Sequence, residues 1–137
     1  MRRYVLDTGT AADWISRRGP TPARFRDALA LGARIGICTP VLGELWAGVE
    51  GSQTRERNHQ RLIDFLAEIV VWPYDNAAAK QYGWLFAHLR RRGRPMQQVD
   101  IQIAAIAITL GNCTVVTKDT DFRAIPDLDI EDWSRPS

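Results

Sequence analysis

Cysteine and histidine are nearly missing from this sequence. Among 137 residues there are two of each, Cys38, Cys113, His59 and His88. The cysteines have no metal-ligand spacing and are too few for a disulfide framework, so two buried free thiols in a reducing compartment are expected. The histidines fall on polar helical stretches and are expected at the surface. Long apolar runs are missing as well. The longest, from Ile101 to Leu110, is about half a membrane span. Met1-Arg2-Arg3 is followed by only three apolar residues before Asp7, too few for the hydrophobic part of a signal peptide. A cytoplasmic chain with no membrane segment is therefore expected. Repeats, low-complexity tracts and long linkers are also absent, so residues 1–137 are expected to fold as one domain. A hydrophobic content of 45% with 25% charged residues excludes disorder.

What is present is an alternation of short apolar runs and helical segments. Arg3–Leu6 reads as a strand. Thr10-Ala-Ala-Asp13 has the form of a capping box, so a helix is expected after Thr10, ending near Gly19-Pro20. Residues 22–31 form a second helix closed by Gly32. Ile35–Cys38 is a second strand, and Thr39-Pro40 opens the next helix with a cap and a first-position proline. Residues 40–50 and 55–68 are helical, and Ile69–Trp72 is a third strand. A long helix runs from Asp75 to Arg92, and another covers Val99–Leu110. Thr114–Thr117 is a fourth strand, and Leu128–Ile130 a candidate fifth. Strands separated by helices imply an α/β fold, a small central parallel sheet flanked by helices on both faces. Ligands of such sheets bind outside the carboxyl ends of the strands.

Four acids fall near that edge. Asp7 follows the first strand, in Tyr4-Val-Leu-Asp-Thr-Gly-Thr10. Glu44 lies in the first turns of the helix after the second strand. Asp100 begins an apolar helix, and Asp119, with Asp121, follows the fourth strand in Thr117-Lys-Asp-Thr-Asp-Phe122. Asp7, Asp100 and Asp119 have innocent explanations: a turn residue, a charge suited to a helix N-terminus, and the cap of a short turn. Glu44 resists one. Val41, Leu42, Leu45, Trp46 and Val49 make an apolar stripe, and Glu44 points away from it beside Gly43, Ala47 and Gly48. A solvated face normally carries long polar side chains, whereas this one is bare. Crowded carboxylates raise one another's pKa unless cations neutralise them. Oxygen ligands without histidine or cysteine select Mg²⁺ or Mn²⁺ over zinc.

In order and spacing these motifs resemble the PIN-domain ribonucleases, and most of all the VapC toxins of bacterial toxin–antitoxin pairs. The resemblance runs from Arg3 to Trp133. It implies a PIN-like fold and metal-dependent endonucleolytic cleavage of RNA. It also implies a homodimer held inactive by a cognate antitoxin protein. Asp7, Glu44 and Asp100 match the three main acids of the family. Asp119 matches a fourth position that is often Asn or Asp, and Asp121 is a further candidate ligand. Thr117 matches a position where Thr or Ser lies beside the acids.

Other readings compete. Asp-Thr-Gly-Thr is also the catalytic turn of aspartic proteases, but that fold is nearly all β and has no place for helices such as 75–92 and 99–110. Phosphatases that form an aspartyl-phosphate want a second aspartate two positions on, where Gly9 stands. A catalytically silent PIN-like module that only binds RNA or protein would be favoured by a missing acid, and none is missing. Net charge is +2. The cluster Arg90-Arg91-Arg92-Gly93-Arg94 is a candidate RNA-phosphate contact, weighed against a plain solvated helix end. Trp72, Trp84 and Phe86 are candidates for a dimer surface. Trp14 and Trp46 are candidates to anchor an inhibitory partner beside the bare face of Glu44.

Overall fold

A computed structural model describes residues 1–136. Five strands, all parallel, form one sheet: β1 (Arg3–Leu6), β2 (Arg34–Cys38), β3 (Val70–Trp72), β4 (Cys113–Val116) and β5 (Asp129–Glu131). Their order across the sheet is β3-β2-β1-β4-β5. The chain winds outward from β1 through β2 to β3, then returns to β4 on the other side of β1. The winding reverses between β1 and β4, and the crevice outside their carboxyl ends is where such sheets hold ligands. Val5, Leu6, Ile37, Val115 and Val116 have no exposure at all. Parallel strands covered on both sides read as continuous apolar runs for this reason.

Six helices connect the strands. These are α1 (Thr8–Ile15) and α2 (Thr21–Ala30), α3 (Thr39–Glu50) and α4 (Arg55–Leu66), then α5 (Asn76–Arg91) and α6 (Gln98–Leu110). Right-handed crossovers put α1 to α4 on one face and α5 and α6 on the other, because the winding direction differs. The packing agrees: α1 lies against α2, α3 and α4, while α5 lies against α6. Helix α6 buries Ile101 and every residue from Ile103 to Ala107, so it is central, as its apolar sequence requires. Trp14 stacks on Phe25 at 4.2 Å, and Trp133 meets Phe25 edge-on, tying the end of the chain to α1 and α2.

Several boundaries and placements differ from the sequence reading. Helix α1 starts at Thr8, not after Thr10, because Asp7 is its cap. It stops at Ile15, where Ser16 and a left-handed Arg17 turn the chain before Gly19-Pro20. Strand β4 ends at Val116, leaving Thr117 just beyond it. Trp72 is core rather than dimer surface. A Cβ at Gly36 would stand 2.7 Å from its ring and 2.2 Å from the Val70 carbonyl oxygen, so the ring occupies space that only glycine leaves. Overpacking there is expected to cost about 1–3 kcal/mol. Trp14 is also buried, at 5% exposure, and cannot anchor a partner. Both histidines are half-buried rather than surface residues, His59 against Trp46 and His88 stacked on Trp84. The two cysteines are free and buried as expected.

Candidate functional site

Asp7 stands where β1 becomes α1. Its backbone is extended and its amide donates to the Val116 carbonyl at 3.1 Å, the last link between β1 and β4. One carboxylate oxygen accepts from the Thr10 amide at 2.8 Å, the usual duty of a helix cap. The other accepts from the Thr117 hydroxyl at 2.6 Å. Thr117 is buried, and its oxygen also accepts from the Asp119 amide at 3.0 Å, so one threonine couples two acids. Asp119 in turn accepts from the Asp121 amide at 2.9 Å and caps a 3₁₀ turn over Thr120–Ala124.

Glu44 comes in from α3 and accepts a hydrogen bond from the hydroxyl of Thr8, the residue after Asp7. Its neighbours Gly43 and Gly48 have nothing within 4 Å of where a side chain would begin, so the bare face is open. Asp100 sits half-buried in the first turn of α6. Burial, followed by the negative charges of Asp119, Asp7, Glu44 and Asp121, pushes its carboxyl up to about 6. That set of neighbours brings all five acids of the sequence reading to one place. Among the described residues, none of the five forms an ion pair.

The donor set suits a hard divalent cation such as Mg²⁺ or Mn²⁺, which takes carboxylate oxygens. Beyond burial, its largest cause, the raised Asp100 carboxyl reflects the crowding of these acids. Among the described residues no three Asp, Glu, His or Cys side chains are already drawn together as ligands. Asp7, Glu44 and Asp119 are instead turned onto the hydroxyl and amide donors just named. Four carboxylates repelling one another favour such partners over mutual approach.

Arg90, Arg91, Arg92 and Arg94 are all exposed, around the last turn of α5 and the loop that leads to α6. Two features of the site had no distinct sequence signal. One is Thr8, which orients Glu44. The other is Lys118, whose stem passes 4.0 Å from where a side chain on Gly9 would begin. Its ammonium reaches the buried Asp13 at 3.2 Å, across 105 positions of sequence.

The PIN domain family model matches residues 4–128. The chain is 35% identical over 135 residues to the tRNA(fMet)-specific endonuclease VapC of Shigella flexneri, covering 98% of this chain and 100% of that one. It is 31% identical over 133 residues to Ribonuclease VapC2 of Rickettsia felis, covering 96% and 98%. Among solved structures it is similar to DNA-bound VapBC from Salmonella typhimurium, with a TM-score of 0.88 at 34% identity over 97% of this chain and 99% of that one.

Proposed function

Because the chain belongs to the PIN-domain family, among relatives of the VapC ribonucleases, we propose that it is a divalent-metal-dependent endoribonuclease and the toxin of a toxin–antitoxin pair. The observation that carries this reading is Asp100, half-buried, raised by burial and by Asp119, Asp7, Glu44 and Asp121, and in no ion pair among the described residues. In this reading Asp7, Glu44, Asp100 and Asp119 hold Mg²⁺ or Mn²⁺, with Asp121 at the margin. The ion, when bound, supplies Lewis acidity at the phosphodiester and acidifies the water it holds. The chain's own part is positioning. Thr10 and Thr117 fix both oxygens of Asp7, Thr8 fixes Glu44, and Thr117 ties the Asp119 loop to the end of β4. With its carboxyl near 6, Asp100 is largely ionised at neutral pH and available as a ligand.

The Shigella relative's name makes initiator tRNA the first substrate to try. A small antitoxin would sit in the groove of about 190 Å³ between α1, α3 and α4, lined by Ala12, Ile15, Leu45, Gly48, Val49 and Leu62. Of the two candidate tryptophans, Trp46, half-exposed on α3, is the anchor, since Trp14 is buried. From the groove an arginine could reach across the bare face to Glu44 and offer forked donors to the carboxylates. Trp84 and Phe86, exposed by 51% and 43% on α5, mark the surface for a homodimer.

The test is cleavage of tRNA, ribosomal RNA and messenger RNA by purified protein in EDTA and after adding back Mg²⁺ or Mn²⁺. Cleavage that returns with metal and is absent in Asp100→Asn supports the reading. Undiminished cleavage in EDTA would overturn its metal dependence, and no cleavage under any condition would favour a silent binding module.

A further inference from the structure

We infer that a cavity beside the acid cluster is a subsite for one phosphate of the RNA strand flanking the scissile bond, with Arg123 as the residue that contacts it. The inference rests on the ribonuclease reading above. The cavity has a volume of about 270 Å³ and opens at the carboxyl ends of β4 and β5. Thr117 and Asp119, members of the acid cluster, form one wall, and Lys118, Arg123, Asp132 and Arg135 line the rest. A strand lying across the acids therefore has this cavity as its next stop along the sheet edge.

The cations here are not equivalent. Lys118 is committed to Asp13 at 3.2 Å, and Arg135 lies 3.4 Å from Asp132. Asp132 is itself occupied, accepting from the amide and hydroxyl of Ser134 at 2.9 and 2.6 Å. Arg123 is exposed and, among the described residues, in no ion pair. A guanidinium in no ion pair among the described residues, lining one cavity with Asp119 of the acid cluster, is well placed for an anion brought in by the substrate. Its planar fork matches a phosphate's oxygens. An RNA strand must pass acids that repel it, and a cation at this point holds the strand where those acids can act. The volume lies just under the roughly 300 Å³ where small-molecule pockets begin, which suits one nucleotide unit rather than a longer segment. The Arg90–Arg94 run differs in kind: Arg90 lines a cavity with Phe86, Leu89, Pro95, Met96 and Ile101 rather than with the acids.

The experiment is steady-state cleavage of a fluorescent RNA containing the site the parent protein cuts, with Arg123→Ala, Arg123→Lys and Arg123→Glu beside the parent. Melting temperatures serve as the folding control. A contact made equally in ground and transition states raises KM and leaves kcat alone. For Arg123→Ala we expect KM up about fivefold to tenfold with kcat within about twofold, and a log–log salt slope smaller by about 0.7. Arg123→Lys should recover most of the affinity, and Arg123→Glu should lose more than Ala. If the parent cleaves and Arg123→Ala keeps both its KM and its salt slope, the subsite is wrong and the ribonuclease reading stands. If the parent binds and cleaves no RNA, both fall together.

Discussion

Glu131 and Asp100 are both half-buried acids near the carboxyl edge of one sheet, yet the fold treats them in opposite ways. Glu131 lies 3.7 Å from Arg2 and 3.6 Å from Arg24, and it accepts from the indole of Trp133 at 3.0 Å. Asp13, more deeply buried, has Lys118 and Arg18. Asp100 is in no ion pair among the described residues, and the charges that bear on it, after burial, are those of Asp119, Asp7, Glu44 and Asp121. Where a carboxylate serves the architecture, this chain supplies a cation from a distant segment. At the switch point between β1 and β4 it supplies hydroxyls and amides instead, which orient the acids without neutralising them. That difference supports the proposal that the region is a site, with positive charge supplied from outside, rather than a brace.

Breaking the unpaired set should give the largest effect. Asp7→Asn and Asp100→Asn are expected to lower RNA cleavage on the order of a hundredfold or more, as removal of one electrostatic element does in preorganised sites. Both should stay folded by circular dichroism. Asn still caps a helix, and Asp100→Asn relieves repulsion. The paired set should respond the other way. Glu131→Ala leaves the indole N–H of Trp133, a residue 2% exposed, without its acceptor. The expected cost is about 1–3 kcal/mol, seen as a melting temperature several degrees lower, with cleavage by the folded fraction retained.

A titration sharpens the contrast. The Asp100 carboxyl moves from 3.8 in the unfolded reference to about 6. A folded state that holds a proton more tightly than the unfolded one is stabilised at low pH. Without metal, this contribution is complete below about 3.8 and is lost as pH rises through about 6. Melting the parent and Asp100→Asn in EDTA across that window should show the variant gaining on the parent as pH increases. A constant difference would mean that neither burial nor the neighbouring acids raise the Asp100 carboxyl. The smallest effect belongs to the surface. Arg91→Ala with Arg92→Ala should weaken binding to all RNAs alike and flatten the salt slope by about 0.7 per lost contact. An unchanged slope returns these arginines to the role of a solvated helix end.

Much of this contrast was already legible in the chain. Apolar runs punctuated by Gly, Pro and caps specify parallel strands and crossovers, and the five acids follow from knowing which strand ends share an edge. Yet the innocent explanations also hold in the structure. Asp7 caps α1, Asp119 caps the 3₁₀ turn and Asp100 lies in a helix's first turn. Local chemistry alone could not separate a cap from a proposed ligand, because strand and helix ends at this edge suit either role. Thr10 reads as the cap because Asp13 follows three residues later, yet the Asp7 side chain accepts from the Thr10 amide and starts α1 at Thr8. What the chain hid depends on distant pairing. Lys118 meets Asp13, Trp72 lies over Gly36, and Trp14 rather than Trp46 is buried, because sheet register and helix packing bring those positions together.

The most direct test of the contrast is Mn²⁺ binding by isothermal titration calorimetry to the parent, Asp100→Asn and Glu131→Gln. The account predicts that Asp100→Asn weakens binding by tenfold or more, about 1.4 kcal/mol or greater, while Glu131→Gln binds as the parent does. Equal affinity in all three proteins, or a loss confined to Glu131→Gln, would contradict it.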